Sequence, residues 1–243
     1  MSGKQFYFMR GIFMKRLISL GLGMAMVAVL ASQQGANGQS AGLVSSVINK
    51  MEQNRNSLKS LRASIIMEKY NSQLRNAEKI SGVIAYTPAS GRDANVRIEW
   101  EKPHEVLTVS KGTYWLCKPR LGVCYTGSSK SKQNNGNGIT DMLNLNRAQL
   151  AQRYEPVKDV REETLWGGVS TIHLTLVPKN SASAGFKYAE VWVDSSGMPV
   201  QTKIVERNDD ATTVRLQNLE RNVKVPTDQF SPKLDSGVKV IKT

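Results

Sequence analysis

The chain has 243 residues, of which 40% are hydrophobic and 22% charged, so it is long enough to bury one sizeable core and too apolar to be a disordered polyelectrolyte. The formal net charge of +13 raises the question of nucleic acid. The cations are scattered along strand-like runs, however, without a recognition helix, a zinc motif or an RNP-type aromatic strand, so no nucleic-acid partner is expected and the surface reads as solvated and basic.

Residues 1–38 stand apart as a signal peptide. Lys15 and Arg16 precede an unbroken apolar run from Leu17 to Ala31, and the small residues Ala36 and Gly38 sit where a signal peptidase reads. Met14 would make a more ordinary start than Met1. The run is short for a membrane span of roughly 20 residues, and no cysteine follows it for lipidation. Taking its four cations from the 33 in the chain leaves a net +9 for residues 39–243, read as one exported domain. Cys117 and Cys124 flank a turn-like Lys-Pro-Arg-Leu-Gly-Val between two strand-like runs, and an oxidising compartment predicts a disulfide across that hairpin. No metal site or cofactor is expected.

Along the remainder, residues 42–61 have the spacing of an amphipathic helix, with Leu43, Val47, Ile48, Met51, Leu58 and Leu61 near one stripe. Alternation then takes over: Leu61, Ala63, Ile65 and Met67 form one row, and a second strand runs from Lys79 to Thr87 up to Pro88. Val96, Ile98 and Trp100 alternate with Arg97, Glu99 and Glu101, which marks a strand with one dry and one charged face. Strands at Glu105–Ser110 and from Thr113 follow, turned by Lys111-Gly112. Ser128 to Gly138 is nearly all polar and reads as a loop. A second helix is expected from Thr140, as N-cap, to about Tyr154, with Met142, Leu143, Leu150 and Ala151 on its apolar side.

The rest predicts strand after strand: 157–165, 171–178, 186–194, 200–207, 212–222, and a short last one at Val238 and Val240. Strand 186–194 is apolar on both faces, so its inward row stays open. About eleven strands and two helices predict an antiparallel sheet curled round the helices, a mainly β fold amounting to an incomplete barrel with a helical lid.

Catalytic patterns are thin, and no enzyme is expected. Ser129-Lys130-Ser131-Lys132 matches S-x-x-K without partner motifs. His104 and His173 read as ordinary turn and strand residues, and Asn208-Asp209-Asp210 as a turn rather than a calcium site.

Gly82-Val-Ile-Ala-Tyr86 with Pro88, Arg97-Ile-Glu-Trp100 with Pro103, Val109-Ser-Lys-Gly112 with Trp115, Leu174-Thr-Leu-Val-Pro178, Val193-Asp-Ser-Ser-Gly197-Met-Pro199, and Asp228-Gln-Phe230 leading to Pro232 and Gly237-Val238-Lys-Val240 form an ordered set. In that order the chain resembles the periplasmic outer-membrane lipoprotein carriers of the LolA type. The resemblance implies a cavity for lipid acyl chains, lipoprotein cargo received from an inner-membrane ABC transporter and handed to an outer-membrane receptor, and a periplasmic address; a monomer is expected. The family often carries an arginine directly before the first proline that holds the lid shut, where this chain has Thr87. A carrier of another lipid or a lipid sensor on the same fold is the alternative.

The inward, lipid-facing residues expected are Ile65, Met67, Ile84, Tyr86, Val96, Ile98, Trp100, Leu107, Val109, Leu174, Leu176, Ile204 and Leu216, with Met142, Leu143 and Leu150 on the lid. One sixteen-carbon chain in a dry cavity would gain roughly 12 kcal/mol at about 0.8 kcal/mol per methylene. A carrier that tight would not unload, so the lid is expected to compete with cargo for the same surface.

Overall fold

The computed structural model describes residues 35–89, 94–129, 143 and 145–243, with backbone alone for 35–41. The leader's apolar run, most of the polar loop, the S-x-x-K lysine and Thr140 to Met142 lie outside the described residues. The first helix, α1, is Gly35–Ser57. It stops short of the expected residue 61 because alternation, and with it β1, begins at Leu61.

The strands are β1 (Leu61–Asn71), β2 (Asn76–Pro88), β3 (Ala94–Trp100), β4 (Glu105–Ser110), β5 (Thr113–Lys118), β6 (Val123–Ser128), β7 (Val160–Leu165), β8 (Val169–Leu176), β9 (Phe186–Asp194), β10 (Pro199–Glu206), β11 (Ala211–Arg221) and β12 (Lys239–Lys242). Between β6 and β7 comes α2 (Arg147–Arg153), and between β8 and β9 the single turn α3 (Ser181–Ala184). All twelve strands join one sheet in the order β12-β6-β5-β4-β3-β2-β1-β11-β10-β9-β8-β7. The count exceeds the expected eleven by one. Neighbours pair antiparallel except β12, which runs parallel to β6 as an added edge. The sheet is an incomplete barrel with two free edges.

Because cross-strand partners share a face, the register sorts the side chains. Leu61, Tyr86, Val96, Val109 and Tyr114 form one inward row, and Ala63, Ile84, Ile98, Leu107 and Leu116 the next. Another runs through Met67, Val214, Thr202, Val191 and Leu174, from β1 to β8. On β9, therefore, Ala189, Val191 and Val193 point inward. The opposite face carries Arg62, Ala85, Arg97 and Thr108, then Ser64, Val83, Glu99 and Val106. Cys117 and Cys124 are register partners on that outer face and form the disulfide.

Gly82 shows how tightly the strands are laid down. It sits between Ile65 and Trp100, and a Cβ there would lie 2.2 Å from the Glu99 carbonyl oxygen. A glycine inside a strand marks such a close backbone approach.

Part of the outer face is also buried. His173 on β8 is 1% exposed. It stacks on Trp192 with ring centroids 4.2 Å apart and planes 4° from parallel. The sequence reads it as an ordinary strand residue, but buried Leu165 and Thr171 from the same hairpin lie with it on a covered surface. Glu163 Oε2 is 3.1 Å from Nδ1 and Glu190 Oε1 3.5 Å from Nε2, yet neither contact has hydrogen-bond geometry. Burial consequently holds the imidazole below its ordinary 6.5, with Arg161 pushing the same way and Glu190, Glu163 and Asp159 opposing.

Two outcomes are expected. Gly82→Ala should lower stability by about 2 kcal/mol or more, read as a thermal midpoint about 4–8 °C lower; an unchanged midpoint would contradict the close packing of β2 on β3. Neutral His173 should contribute stability that is fully present above 6.5 and is lost as pH falls through the lower folded value. The NMR titration of its ring checks this, and a midpoint above 6.5 would mean that the carboxylates prevail over burial.

Candidate functional site

All thirteen residues expected to face inward share the concave face. Ile65, Met67, Ile84, Tyr86, Val96, Ile98, Trp100 and Leu216 belong to one buried cluster, with Leu107 and Val109 packed against it. Leu174 and Leu176 belong to a second cluster, with Ile204 against it. Thr202, 1% exposed, joins the two along the row from Met67 to Leu174. The result is an apolar wall of two adjoining clusters with Thr202 between them. Its chemistry is that of hydrocarbon: burial pushes the Tyr86 hydroxyl up to about 12, against the pull of the Arg55 guanidinium, so the phenol stays neutral.

The chain covers this wall with itself. Val47 and Met51 from α1 enter the second cluster together with Leu145, while Leu58 and Leu143 enter the first. Leu150 packs half-buried against the second cluster. Of the three expected lid residues, Leu143 and Leu150 thus lie on the wall, and Met142 is outside the described residues. The expected start of the second helix at Thr140 falls outside the described residues; Leu143 is helical, and the described helix α2 from Arg147 is capped by Asn146, whose side chain accepts from Gln149 N while the Gln149 side chain accepts from Asn146 N. Asn146 in the run Leu-Asn-Arg-Ala-Gln carried that signal, three residues ahead of the glutamine.

Polar contacts then hold α1 against the β9–β10 turn. Asp194 shapes the turn by accepting from Ser196 N and Met198 N, and its second oxygen pairs with Arg221 Nη2 at 2.8 Å. Arg221 Nη1 also reaches Asn54 Oδ1 of α1 at 3.5 Å, and Asn54 Nδ2 donates to Met198 Sδ. Asn54 is itself buried. Gly197, at φ +84°, lies against the helix backbone so closely that a Cβ would stand 2.1 Å from the Lys50 carbonyl oxygen. Just past the helix, Asn222 accepts from Lys59 N at 2.7 Å. None of these residues was marked by periodicity. Their signal was the turn Asp-Ser-Ser-Gly-Met-Pro, whose glycine reads as reversal alone.

Thr87 lies outside this arrangement. It sits on the outer row and accepts from Asn95, so a side chain at that position points away from the wall. Arg97, also on the outer row, pairs with Glu99 at 3.3 Å. A cleft of about 590 Å³ occurs on this outer face, between β1–β3 and residues 229–233, lined by Arg62, Arg97 and Lys233 as well as Glu99 and Glu220. Charges of both signs make it a poor host for alkyl chains, which separates it from the apolar wall. Among the described residues there is no group of three His, Cys, Asp or Glu placed to hold a metal ion.

Comparison with known proteins agrees with this geometry. Among curated proteins, none matches. In solved structures, an uncharacterized conserved protein from Thermus thermophilus aligns over 82% of this chain and 99% of its own, at 12% identity and a TM-score of 0.50. An outer membrane lipoprotein-sorting protein domain from Vibrio parahaemolyticus aligns over 74% and 94%, at 13% identity and 0.42, and lipoprotein LppX of Mycobacterium tuberculosis over 75% and 97%, at 13% and 0.45. At these identities the likeness concerns the fold alone. The sequence model described as outer membrane lipoprotein carrier protein LolA matches residues 56–233, and the chain belongs to the LolA family.

Proposed function

We propose that the protein is an exported carrier that takes up acyl chains on its concave wall, those of lipoproteins by family analogy, and moves them from the inner to the outer membrane without catalysis. On this reading an inner-membrane ABC transporter loads it and an outer-membrane receptor unloads it. The observation that supports the reading is the apolar wall covered, among the described residues, by side chains from Val47 to Leu58 and from the 143–154 segment.

The magnitudes favour exchange over permanent binding. Burying one large aliphatic side chain contributes about 1.5–3 kcal/mol, so Val47, Met51, Leu58, Leu143 and Leu145 together supply roughly 10 kcal/mol. A sixteen-carbon chain gains about as much from the same wall. The two burials nearly cancel, which leaves the net affinity to smaller contacts. The Asp194–Arg221–Asn54 chain is of that size, about 1–2 kcal/mol for a part-buried charged hydrogen bond, and it exists only while α1 is docked.

Three measurements test this. Mass spectrometry of the protein purified from the exporting cell should find acyl-chain lipid at a substantial fraction of one per molecule, and its consistent absence would contradict the carrier reading. Leu143→Ala combined with Leu150→Ala removes lid burial alone and should tighten retention of an added fatty acid about tenfold or more; weaker retention would overturn the competition. Arg221→Ala should raise amide exchange across residues 44–57 about tenfold while leaving the sheet protected, and unchanged exchange would show that the contact does not restrain α1.

A further inference from the structure

The β7–β8 hairpin ends in a feature that neither the wall nor its cover requires. Trp166 is 80% exposed, the most exposed large apolar side chain among the described residues. Gly167 and Gly168 follow it, both at positive φ, so the chain reverses without any side chain beside the indole. From Thr164 to Ser170 the tip carries no charge, and Val169 is also exposed. Arg215 supports it from β11: its Nη2 donates to the Trp166 carbonyl oxygen, and its guanidinium lies 5.8 Å from the ring centroid.

A cation beside an exposed ring is a weak contact and does not account for holding an indole in water. A protein interface built on tryptophan sets it in a packed apolar patch, whereas here Thr164, Gly167, Gly168 and Ser170 surround it. One amphipathic ring on an uncharged tip with an arginine behind it matches the boundary between lipid headgroups and acyl chains, where tryptophan is enriched. Arg215 forms no ion pair among the described residues, which leaves its charge available for a lipid phosphate. The net positive charge of the chain works in the same direction at an anionic surface.

We propose that the β7–β8 tip docks the protein on a phospholipid bilayer, Trp166 entering the headgroup boundary and Arg215 facing phosphate. This contact lies apart from the concave wall and goes beyond the carrier reading. It would set the molecule on the membrane from which lipid is taken or to which it is given.

The test uses vesicles of phosphatidylethanolamine and phosphatidylglycerol containing brominated lipid, mixed with the purified protein and with Trp166→Ser carrying the same N-terminus, so that the apolar run 17–31 contributes equally to both. Trp100 and Trp192 are buried and Trp115 is part-exposed, so both proteins carry Trp115→Phe and quenching at the membrane then reports mainly on Trp166. Quenching is expected in the parent and lost in Trp166→Ser, with vesicle affinity about tenfold lower; Arg215→Gln should weaken binding to anionic vesicles more than to neutral ones. Equal quenching in parent and Trp166→Ser, or no quenching of the parent on any vesicle, overturns the proposal and in the second case assigns the tip to a protein contact. Binding of a fluorescent fatty acid should survive Trp166→Ser. Failure of the parent to bind the fatty acid, with its docking intact, would instead defeat the carrier reading and leave this one standing.

Discussion

An apolar wall that spans strands from β4 to β8 and does not close on itself must be covered, and every other feature of the molecule follows from that requirement. A sheet of twelve strands is too wide for its own side chains to fill the concavity. The chain therefore sends α1 and the 143–154 segment across it. Because what they bury is plain hydrocarbon surface, any other hydrocarbon can take their place at similar free energy. On the proposed carrier reading, the wall is occupied either by this cover or by cargo, and small differences decide between them.

Those small differences sit where the helix meets the β9–β10 turn. The apolar contacts of Val47 and Met51 are unspecific, but Gly197 against the Lys50 carbonyl and Asn54 between Arg221 and Met198 need one placement of the helix. Family members often fasten the lid with an arginine ahead of the first proline. Here that position, Thr87, faces outward, and the arginines that reach α1 are Arg221 at the end of β11 and Arg147 at the start of α2.

The wall was legible in the sequence because alternation is a local signal: β3 has one apolar and one charged row, the row Leu61, Ala63, Ile65 and Met67 of β1 is apolar, and register did the rest. Strand β9 resisted, since Trp192 on its outer row is buried as well as Val191 on the inner. The structure supplies the reason. The β7–β8 hairpin brings Leu165 and Thr171 to that outer surface, and His173 stacks on Trp192 beneath them. The outer row carries Glu190 and Asp194, but the buried Trp192 between them masks the alternation. The capping exchange of Asn146 and Gln149 and the parallel pairing of β12 escaped for different reasons: the first is a local trade of two side chains, the second depends on an edge of β6 that only the folded sheet exposes. The contacts of Asn54, Asp194, Gly197 and Arg221 join residues far apart in the chain, and no periodicity carries them.

The central claim is that cover and cargo occupy the same surface in turn. Amide exchange across residues 44–58, followed with and without a bound sixteen-carbon fatty acid, tests it most directly. Loading should release that segment, raising its exchange while β1 to β3 stay protected. Exchange in that segment that is unchanged or slowed on loading would mean that the lipid sits elsewhere, and the account would fail.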